Sequence, residues 1–380
     1  MASPGGLAAE IPLRMGLCAP LQTLALPPRE HAKWAETFHG GWTSANPQVL
    51  GRPAPVVSTD ISSCYPLVAH HIDWWDLFCA ERVQRRGVTR LLRSVCQRAI
   101  GDPTTVLDPA VWRSLGCCRV EVIPDGQVWP FELEDEHRAD GRLEFVPGSS
   151  PCRPFHFAWP DVVYAAIESG HVPRIIRATR LVPVGRQAGI WDLPVLPGLV
   201  LLADEDPVLH LVAYRRRMKD EGNERMARLL HAVVNSLVSG NFSRFDEIRV
   251  KRHGGWVTSE KPGPWNCMPI ASTVTAGSHL LLGIYDRMVG DLGSAVLYRD
   301  TDSSMVASLP DGGSVDLPDG SRLALLTWNQ VDGIADAFAP LSPDPYWPLW
   351  KVDRGTEENP LHGLVYGPKR RIEFTKEGLE

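Results

Sequence analysis

Acidic residues occur at two points where a short apolar strand is expected to end. Asp60 closes the run 55–60 (PVVSTD), and Asp300 and Asp302 lie in the turn between two predicted strands, residues 294–298 and 304–308. Alternate residues of such a turn point the same way, so Asp302 can project toward a neighbouring strand end. Converging carboxylates suit a pair of Mg²⁺ ions, because hard cations take oxygen ligands and leave positions open for phosphates. Two such ions can stabilise the attacking and the leaving oxygen of a phosphoryl transfer.

Each acid also has an ordinary interpretation. Asp60 can be the N-cap of a helix, and residues 300–302 (DTD) can form a polar turn without any chemistry. Taken singly, the acids are weak indicators of a site, and only their combination points to metal-dependent phosphoryl transfer. The residues alone leave both interpretations open.

The elements that must position these acids are short and numerous. The 33 proline and 33 glycine residues cluster between apolar runs, which favours a mixed α/β fold with many connections. The turn signal Pro124-Asp125-Gly126 predicts a hairpin between residues 118–123 and 128–133. Residues 1–30 show no clear period, and we expect a poorly ordered lead-in. Helical spacing covers residues 67–100, 160–169, 215–238 and 273–289.

Two of the predicted helices carry basic residues. In residues 215–238, a rotation of 100° per residue places Arg228 on the same side as His231 and Asn235, within about 60° of both. This face is either functional or simply solvated, and the two interpretations weigh about equally for Arg228. The same choice holds for six arginines that could line a groove along a duplex backbone: Arg82, Arg85, Arg86, Arg90, Arg93 and Arg98.

Composition excludes several classes of protein. The 380 residues are 44% apolar and 22% charged, enough for one large domain or two to three subdomains. The net charge of −6 provides no global positive field, so a polyanion would be held by local basic patches. The eight cysteines form no CxxC pair, which argues against a zinc knuckle or a disulfide framework. We find no signal peptide and no apolar run of membrane-spanning length, and we expect a reduced, soluble, cytoplasmic protein with no membrane partner.

Five segments resemble motifs of the family B DNA polymerases, and they occur in the order of that family. Residues 60–66 (DISSCYP) resemble the DxxSxYP motif, and residues 298–303 (YRDTDS) the YxDTDS motif. Residues 231–237 (HAVVNSL) are similar to the KxxxNSxYG helix of the fingers. Residues 38–41 (FHGG) resemble the template-contacting YxGG loop of the protein-primed branch, and residues 366–371 (YGPKRR) the KxY segment at the primer terminus.

The resemblance implies an α+β fold, the right-hand palm of a polymerase. An antiparallel sheet with flanking helices would carry helical fingers, with no exonuclease domain and little or no thumb. The implied divisions are a poorly ordered lead-in over 1–37, a first part of the palm over 38–205, the fingers over 206–243 and a second part of the palm over 244–380.

The resemblance also implies an activity, template-directed transfer of dNMP from dNTP to a primer 3′-OH without proofreading. Asp60, Asp300 and Asp302 would be catalytic, and two Mg²⁺ ions, replaceable by Mn²⁺, would be held by Asp60, Asp302 and the carbonyl of Ile61. Tyr65 would exclude a 2′-OH. The implied nucleotide-binding residues are Ser62, Ser63, Cys64, Tyr65, Lys219, Arg228, His231 and Asn235. The implied DNA-binding residues are Phe38, Gly40, Gly41, Ser236, Gly240, Thr301, Lys369 and Arg371.

The sequence departs from the family at four positions. His231 stands where the fingers lysine is usual, and residues 238–240 (VSG) replace the YG dipeptide, which puts base-pair checking in doubt. Arg371 replaces the tyrosine of KxY. Arg299 replaces a small residue before DTD, and strand alternation predicts that it faces away from Asp300.

Two classes of function therefore compete. Only 37 residues precede Phe38, and few follow Phe374, so the sequence is compatible with a fragment or split gene product whose exonuclease or thumb is on a separate chain, with a minimal polymerase, or with a degenerate relative. A terminal-protein primer is compatible with the YxGG-like loop. The alternative to a polymerase is a non-catalytic or incomplete polymerase-like DNA-binding accessory module, which the four departures favour. The retained acids favour activity, because unneutralised like charges destabilise a site that does not use them.

Overall fold

The computed structural model describes residues 3–133, 142–149, 154–252, 255–317, 320, 322–343 and 349–375. The helices are α1 (Pro4–Arg14), α2 (Pro20–Thr23), α3 (Pro28–Ala35), α4 (Cys64–His71), α5 (Trp74–Phe78), α6 (Thr89–Gly101), α7 (Pro109–Leu115), α8 (Trp159–Ser169), α9 (Pro207–Asp220), α10 (Glu224–Asn235), α11 (Met268–Asp291) and α12 (Trp328–Ala337). Short 3₁₀ turns occur at Pro47–Val49, Pro103–Leu107 and Ala339–Leu341, and a π-helical turn at Ser236–Gly240.

The strands alternate with these helices along the chain. They are β1 (Thr43–Ala45), β2 (Pro53–Ile61), β3 (Arg82–Gly87), β4 (Cys118–Ile123), β5 (Asp125–Leu133), β6 (Arg142–Ser149), β7 (Phe155–Ala158), β8 (Arg174–Val184), β9 (Leu193–Leu196), β10 (Leu199–Leu201), β11 (Phe245–Arg252), β12 (Gly255–Pro262), β13 (Val296–Asp300), β14 (Ser303–Leu309), β15 (Gly313–Asp316), β16 (Arg322–Thr327), β17 (Trp350–Asp353), β18 (His362–Gly367) and β19 (Arg370–Phe374).

The main sheet has the spatial order β1-β13-β14-β2-β18-β19, and β17 also pairs with β2. All of these pairings are antiparallel. The register places Ser303 opposite Asp60, and Lys351 opposite Asp60 on the other side of β2. The C-terminal end of β2 therefore meets the turn between β13 and β14 at one end of the sheet, where these central strands terminate. The mixed fold with an antiparallel sheet, expected from the sequence, is confirmed.

Helix α11 is the central support of this sheet. It is buried along most of its length, because small residues let neighbouring elements approach closely. A Cβ added at Gly277 would lie 2.4 Å from Val68 of α4, and one at Gly283 would lie 2.2 Å from Tyr164 of α8. Such close contacts leave little freedom for α11 to shift against α4 or α8.

The N-terminal segment differs from the lead-in that we expected. Residues 4–35 contribute helices α1 to α3, in which Ala8 and Trp34 are buried. Helix α1 packs on α10 and on the π-helical turn, and Arg119 Nη2 of β4 donates to Glu30 Oε2 of α3 at 2.8 Å. The apolar residues of this segment have no regular period because their partners are on several distant elements.

Other predictions along the chain need correction. Residues 82–87 belong to β3, which is the edge of a second sheet ordered β3-β8-β4-β7, so Arg82, Arg85 and Arg86 are on a strand and not on a helix. The predicted hairpin is also wrong, because β4 pairs with β7 and β8 whereas β5 pairs with β6. The local turn residues therefore did not identify the strand partners. In the described part of the chain, no helix is long and apolar enough to cross a membrane.

Candidate active site

The two acidic segments meet through backbone hydrogen bonds. Ile61 N donates to Asp302 O at 2.8 Å, which joins the end of β2 to the β13–β14 turn. Within the turn, Asp302 N donates to Asp300 O at 2.6 Å, and Thr301 takes a φ of 62°. A positive φ is strained for a β-branched residue, so the surroundings must hold this turn in shape. Asp60 and Asp302 thus occupy adjacent strand ends.

The two carboxylates differ in environment. Asp60 Oδ1 accepts a hydrogen bond from Lys351 Nζ at 3.0 Å, and both side chains are about half exposed. Asp302 is more buried, and burial followed by repulsion from Asp60 and Asp300 raises its pKa to about 7. Lys351 opposes this shift but does not cancel it. Burial and the neighbouring acids therefore both disfavour the charged form of Asp302.

Asp300 has a different position from the other two acids. Its carboxylate accepts hydrogen bonds from Thr43 Oγ1 at 3.2 Å and from the Tyr298 hydroxyl at 3.3 Å. Arg299 points to the opposite face of β13, where it pairs with Asp286, donates to Ser44 Oγ at 2.9 Å and stacks over Trp42. The strand alternation predicted for Arg299 is confirmed. The contacts of Asp300 fasten β13 to β1.

The fit of a divalent ion can be judged from these side chains. In the described residues, no three His, Cys, Asp or Glu side chains are gathered closely enough to form a ready-made metal-binding group. Asp60 and Asp302 nevertheless provide hard oxygen donors on adjacent strand ends. This donor set fits Mg²⁺ or Mn²⁺ better than a soft metal, because Cys64 is a buried thiol whose pKa is well above its usual value.

The segment after Asp60 provides an N-terminal helix end beside the carboxylates. Ser62 N donates to Leu349 O at 2.7 Å, so this amide, one of those predicted to bind a triphosphate, is already used. Ser63 has a φ of 54°, and Cys64 and Tyr65 begin α4, where the first N–H groups have no partner within the helix. Ser62 Oγ is buried and without a hydrogen-bond partner among the described residues. The free donors at this end suit an anion.

Tyr65 extends from the first turn of α4 toward α11. Its hydroxyl contacts Ser278, and burial raises its pKa far above the usual value. Asp302 and Asp300 are close enough to raise it further. The phenol is therefore uncharged and fixed between α11 and the carboxylates.

A missed residue, Arg215 of α9, lies against this helix end. Its Nη1 donates to Ser63 Oγ at 3.0 Å, and Asp60 stabilises its charge although burial lowers its pKa. Lys219 follows four residues later on α9 and is exposed. The i, i+4 spacing to Lys219 was the available sequence signal for Arg215. Lys351 had no such signal, because only the register of β17 with β2 brings it to Asp60.

The predicted fingers helix is two helices. Gly222, with a φ of +75°, separates α9 from α10, and the Asn223 side chain caps α10 by accepting from Met226 N at 3.2 Å. On α10, Asn235 Nδ2 is 3.3 Å from His231 Nε2. Burial first, then Arg215 and Lys351, lowers the pKa of His231.

The other residues of α10 and the turn after it point elsewhere. Arg228 is exposed, and its Nε donates to Glu224 O of its own helix at 3.4 Å. The structure therefore brings His231 close to Arg215 and Lys351 and leaves Arg228 on the outer surface. Ser236 and Gly240 bound the π-helical turn, and Val238 between them is fully buried in the core. Val238 thus has a packing role at the position of the missing aromatic residue.

Two of the predicted DNA-contacting segments lie beside the β13–β14 turn. In the loop 38–41, Phe38 packs on the core, and a Cβ at Gly41 would lie 2.6 Å from Thr301 Oγ1. At the β18–β19 turn, Arg371 Nη1 donates to Ser303 Oγ at 3.3 Å. The Arg371 guanidinium also lies 4.7 Å from the centre of the Tyr298 ring, and Lys369 is exposed with a φ of 55°.

Comparison with solved structures shows that the fold of the chain is similar to a known one. The chain is similar to phi29 DNA polymerase complexed with primer-template DNA and incoming nucleotide substrates, with a TM-score of 0.51, 12% identity and coverage of 98% of this chain and 54% of that chain. An orthorhombic crystal form of phi29 DNA polymerase gives 0.49 at 12% identity, covering 95% and 52%. The family B DNA polymerase of the archaeon Pyrobaculum calidifontis gives 0.35 at 14% identity, covering 99% and 32%.

These comparisons define how far the likeness reaches. The chain spans about half the length of the phi29 polymerase chains that it matches. No family model matches the sequence, and no curated protein matches it. At 12% identity the likeness concerns the fold, and the chain has a polymerase-like fold built on an antiparallel sheet with flanking helices.

Proposed function

We propose that the chain is a DNA-directed DNA polymerase of the family B type that adds dNMP from dNTP to a primer 3′-OH without proofreading. One observation carries the proposal. In a polymerase-like fold, the sheet register brings Asp60 and Asp302 to adjacent strand ends beside the N-terminus of α4. Carboxylates beside a helix end with free donors suit a substrate that combines a metal ion with phosphates.

The carboxylates would hold the metal. When bound, Mg²⁺ or Mn²⁺ would supply charge stabilisation for the attacking and leaving oxygens. Asp60, Asp302 and the Ile61 carbonyl would be its ligands, whereas Asp300 would act by holding β13 on β1 through Thr43. Lys351 would release Asp60 in that state and become available to an anionic substrate group.

The helix end and the fingers would bind the triphosphate. The amides of Cys64 and Tyr65, the positive end of α4, and the side chains of Arg215 and Lys219 would contact the phosphates. His231 and Asn235 would face the nucleotide from α10. Tyr65, fixed by Ser278, would lie under the sugar and exclude a 2′-OH, so that deoxynucleotides are preferred.

Primer-template DNA would lie across the β13–β14 turn. Phe38, Gly40 and Gly41 would contact the template, Thr301 would lie below the primer terminus, and Ser236 and Gly240 would border the nascent base pair. Lys369 and Arg371 would contact backbone phosphates, with the salt dependence typical of such contacts.

A non-catalytic DNA-binding module is the second candidate, and the Lys351–Asp60 ion pair favours it. A lysine 3.0 Å from a proposed metal ligand neutralises that ligand without any ion. In this alternative the chain would bind primer-template DNA through the same basic residues and leave nucleotides unchanged.

Primer extension separates the two candidates. The purified chain is incubated with a short primed template, dNTPs and Mg²⁺ or Mn²⁺, beside Asp302→Ala and the control Asp316→Ala, whose side chain is exposed on a distant hairpin. We expect extension by the wild type and the control and none by Asp302→Ala. Duplex binding without extension in all three would support the accessory module, and neither binding nor extension would contradict both proposals.

A further inference from the structure

A fully buried pair of polar side chains lies behind the proposed template loop. Asp161 in the first turn of α8 and His279 in the middle of α11 both have side chains with 0% exposure. His279 Nδ1 lies 2.9 Å from Asp161 Oδ1, and His279 Nε2 lies 2.8 Å from the carbonyl oxygen of Gly40. A carbonyl can only accept, so Nε2 carries a proton and donates to Gly40.

The orientation of the ring is fixed from several sides. The edge of Phe145 meets the imidazole with the ring centroids 5.4 Å apart and an interplanar angle of 82°. Replacing a buried ion pair by apolar residues is often neutral or stabilising, so such a pair is weak evidence for stability and better evidence for a fixed geometry.

The carbonyl that His279 contacts belongs to a loop held on both sides. Beyond Gly40, Thr301 N of the β13–β14 turn donates to Trp42 O at 2.8 Å, and Gly41 leaves no room for a side chain against Thr301. The loop 38–41 therefore lies between α11 on one side and the turn that carries Asp302 on the other.

The residue before His279 supports the nucleotide side of the same site. Ser278 contacts the hydroxyl of Tyr65, which begins the helix end beside Asp60. Two consecutive residues of one rigid helix thus contact the proposed template loop and the proposed nucleotide pocket.

We propose that Asp161 and His279 are positioning residues for the template strand, which hold the proposed template loop in its binding conformation by keeping the Gly40 carbonyl at a fixed distance from the carboxylate turn. This inference rests on the proposed polymerase function. His279 touches no substrate and acts through the loop, and Asp161 acts through His279. The contact depends on a donor directed at Gly40, so a side chain at position 279 that donates to both oxygens should preserve it.

The test uses variants that separate the contact from folding. Replacing one partner leaves the other buried without its hydrogen-bond partner and risks unfolding, so the main variant is the double change Asp161→Leu/His279→Met, which removes both polar groups and fills a similar volume. His279→Arg is the matched control, because a guanidinium can donate to Asp161 and to Gly40 together. Three quantities are measured on the full chain: the thermal midpoint, the Kd for a fluorescent primer-template, and the KM for dNTP at saturating DNA.

We expect the double variant to keep a thermal midpoint near that of the wild type, to raise the Kd for primer-template about tenfold, and to change the KM for dNTP less than about twofold. The single variant His279→Arg, which keeps Asp161, should have a Kd for primer-template close to that of the wild type. A merely structural pair would lower the midpoint and change all three quantities together. A Kd within twofold of the wild type in the folded double variant would overturn the inference.

Amide hydrogen exchange keeps this outcome separate from failure of the polymerase proposal. If the wild type binds no primer-template, the proposed function fails, and exchange of the amides of residues 39–42 still decides whether the pair holds the loop. Faster exchange in the double variant, together with a wild-type rate of exchange in His279→Arg, supports the positioning role. Unchanged exchange contradicts it.

Discussion

The carboxylate end of the sheet and helices α9 and α10, the proposed fingers, meet around Asp60, but they hold their residues in different ways. At the carboxylate end, Asp302 is fixed by backbone bonds on both sides, from Ile61 and to Asp300. On α10, His231 is exposed, and its Nε2 lies 3.3 Å from Asn235 Nδ2 of the same helix. The carboxylate end is a preformed arrangement, whereas the outer fingers residues stay available to solvent or to a ligand.

The difference separates two sources of charge at the site. The acids are held in place by the strand register, and burial of Asp302, followed by repulsion from Asp60 and Asp300, raises the pKa of Asp302 to about 7. Positive charge comes from flexible side chains. Arg215 donates a hydrogen bond to Ser63, and Lys351 donates one to Asp60. Variants at the carboxylate end should therefore act on chemistry, and variants in the fingers on nucleotide affinity.

Asp302→Asn gives the largest effect that we expect. Loss of a charged metal ligand should lower the rate of single-turnover incorporation by more than about a hundredfold. Replacing a residue that only orients a metal ligand already lowers activity by up to about a hundredfold, and a ligand itself should matter more. The same change removes a buried charge repelled by Asp60 and Asp300, so the thermal midpoint without metal should rise. Retained incorporation with a lower midpoint would show that Asp302 is a structural acid.

Arg215→Ala should have the next largest effect, and it should act on affinity. A charge-assisted hydrogen bond contributes about 1.5–3 kcal/mol, so the KM for dNTP should rise about 10- to 100-fold with a smaller change in kcat. Arg228→Ala is the matched control, because this exposed arginine contacts its own helix. Equal effects of the two variants in steady-state kinetics would contradict the difference that the structure assigns to them.

The smallest effect concerns the pH dependence of His231. Partial loss of hydration where the ring contacts the protein, followed by the nearby Arg215 and Lys351, lowers its pKa below 6.5, so the side chain is neutral at pH 8 and gains charge only as the pH falls below its usual value. The KM for dNTP in the wild type should therefore improve relative to His231→Gln as the pH is lowered from 8 toward 5.5. His231→Lys should improve the KM about fivefold at pH 8, since hydrogen bonds to charged groups contribute about 1 kcal/mol more than neutral ones.

Comparison of the wild type with the Gln variant cancels the titration of other groups, including Asp302. Identical pH profiles for His231→Gln and the wild type would show that His231 does not face the nucleotide.

The sequence predicted the elements around the acids better than their partners. Strand β2, the β13–β14 turn and helix α11 follow from local apolar periodicity and turn residues, and the alternation that directs Arg299 away from Asp300 is a local rule as well. Lys351 reaches Asp60 through the pairing of two strands, and the two residues are 291 positions apart in the sequence. No local sequence pattern encodes such a pairing.

Helical geometry had a related limit in the fingers. Placing Arg228 and His231 on one face was sound as far as rotation angles go, but the angle alone cannot say which end of that face meets the rest of the protein. Packing of α10 on α1 and α9 turns Arg228 outward and His231 toward Arg215. The strand β3 shows the same limit of local patterns. Residues 82–86, with their three arginines, have helical spacing, but pairing with the long strand β8 makes them a strand.

The most direct test of the account is a Mn²⁺ titration followed by electron paramagnetic resonance, on the wild type, Asp302→Asn and the exposed control Asp316→Asn. The account predicts saturable Mn²⁺ binding that is strengthened by dNTP in the wild type and the control and is lost in Asp302→Asn. Equal binding in all three proteins, or no binding in the wild type with dNTP present, would contradict the claim that Asp60 and Asp302 form the metal site of a nucleotidyl transferase.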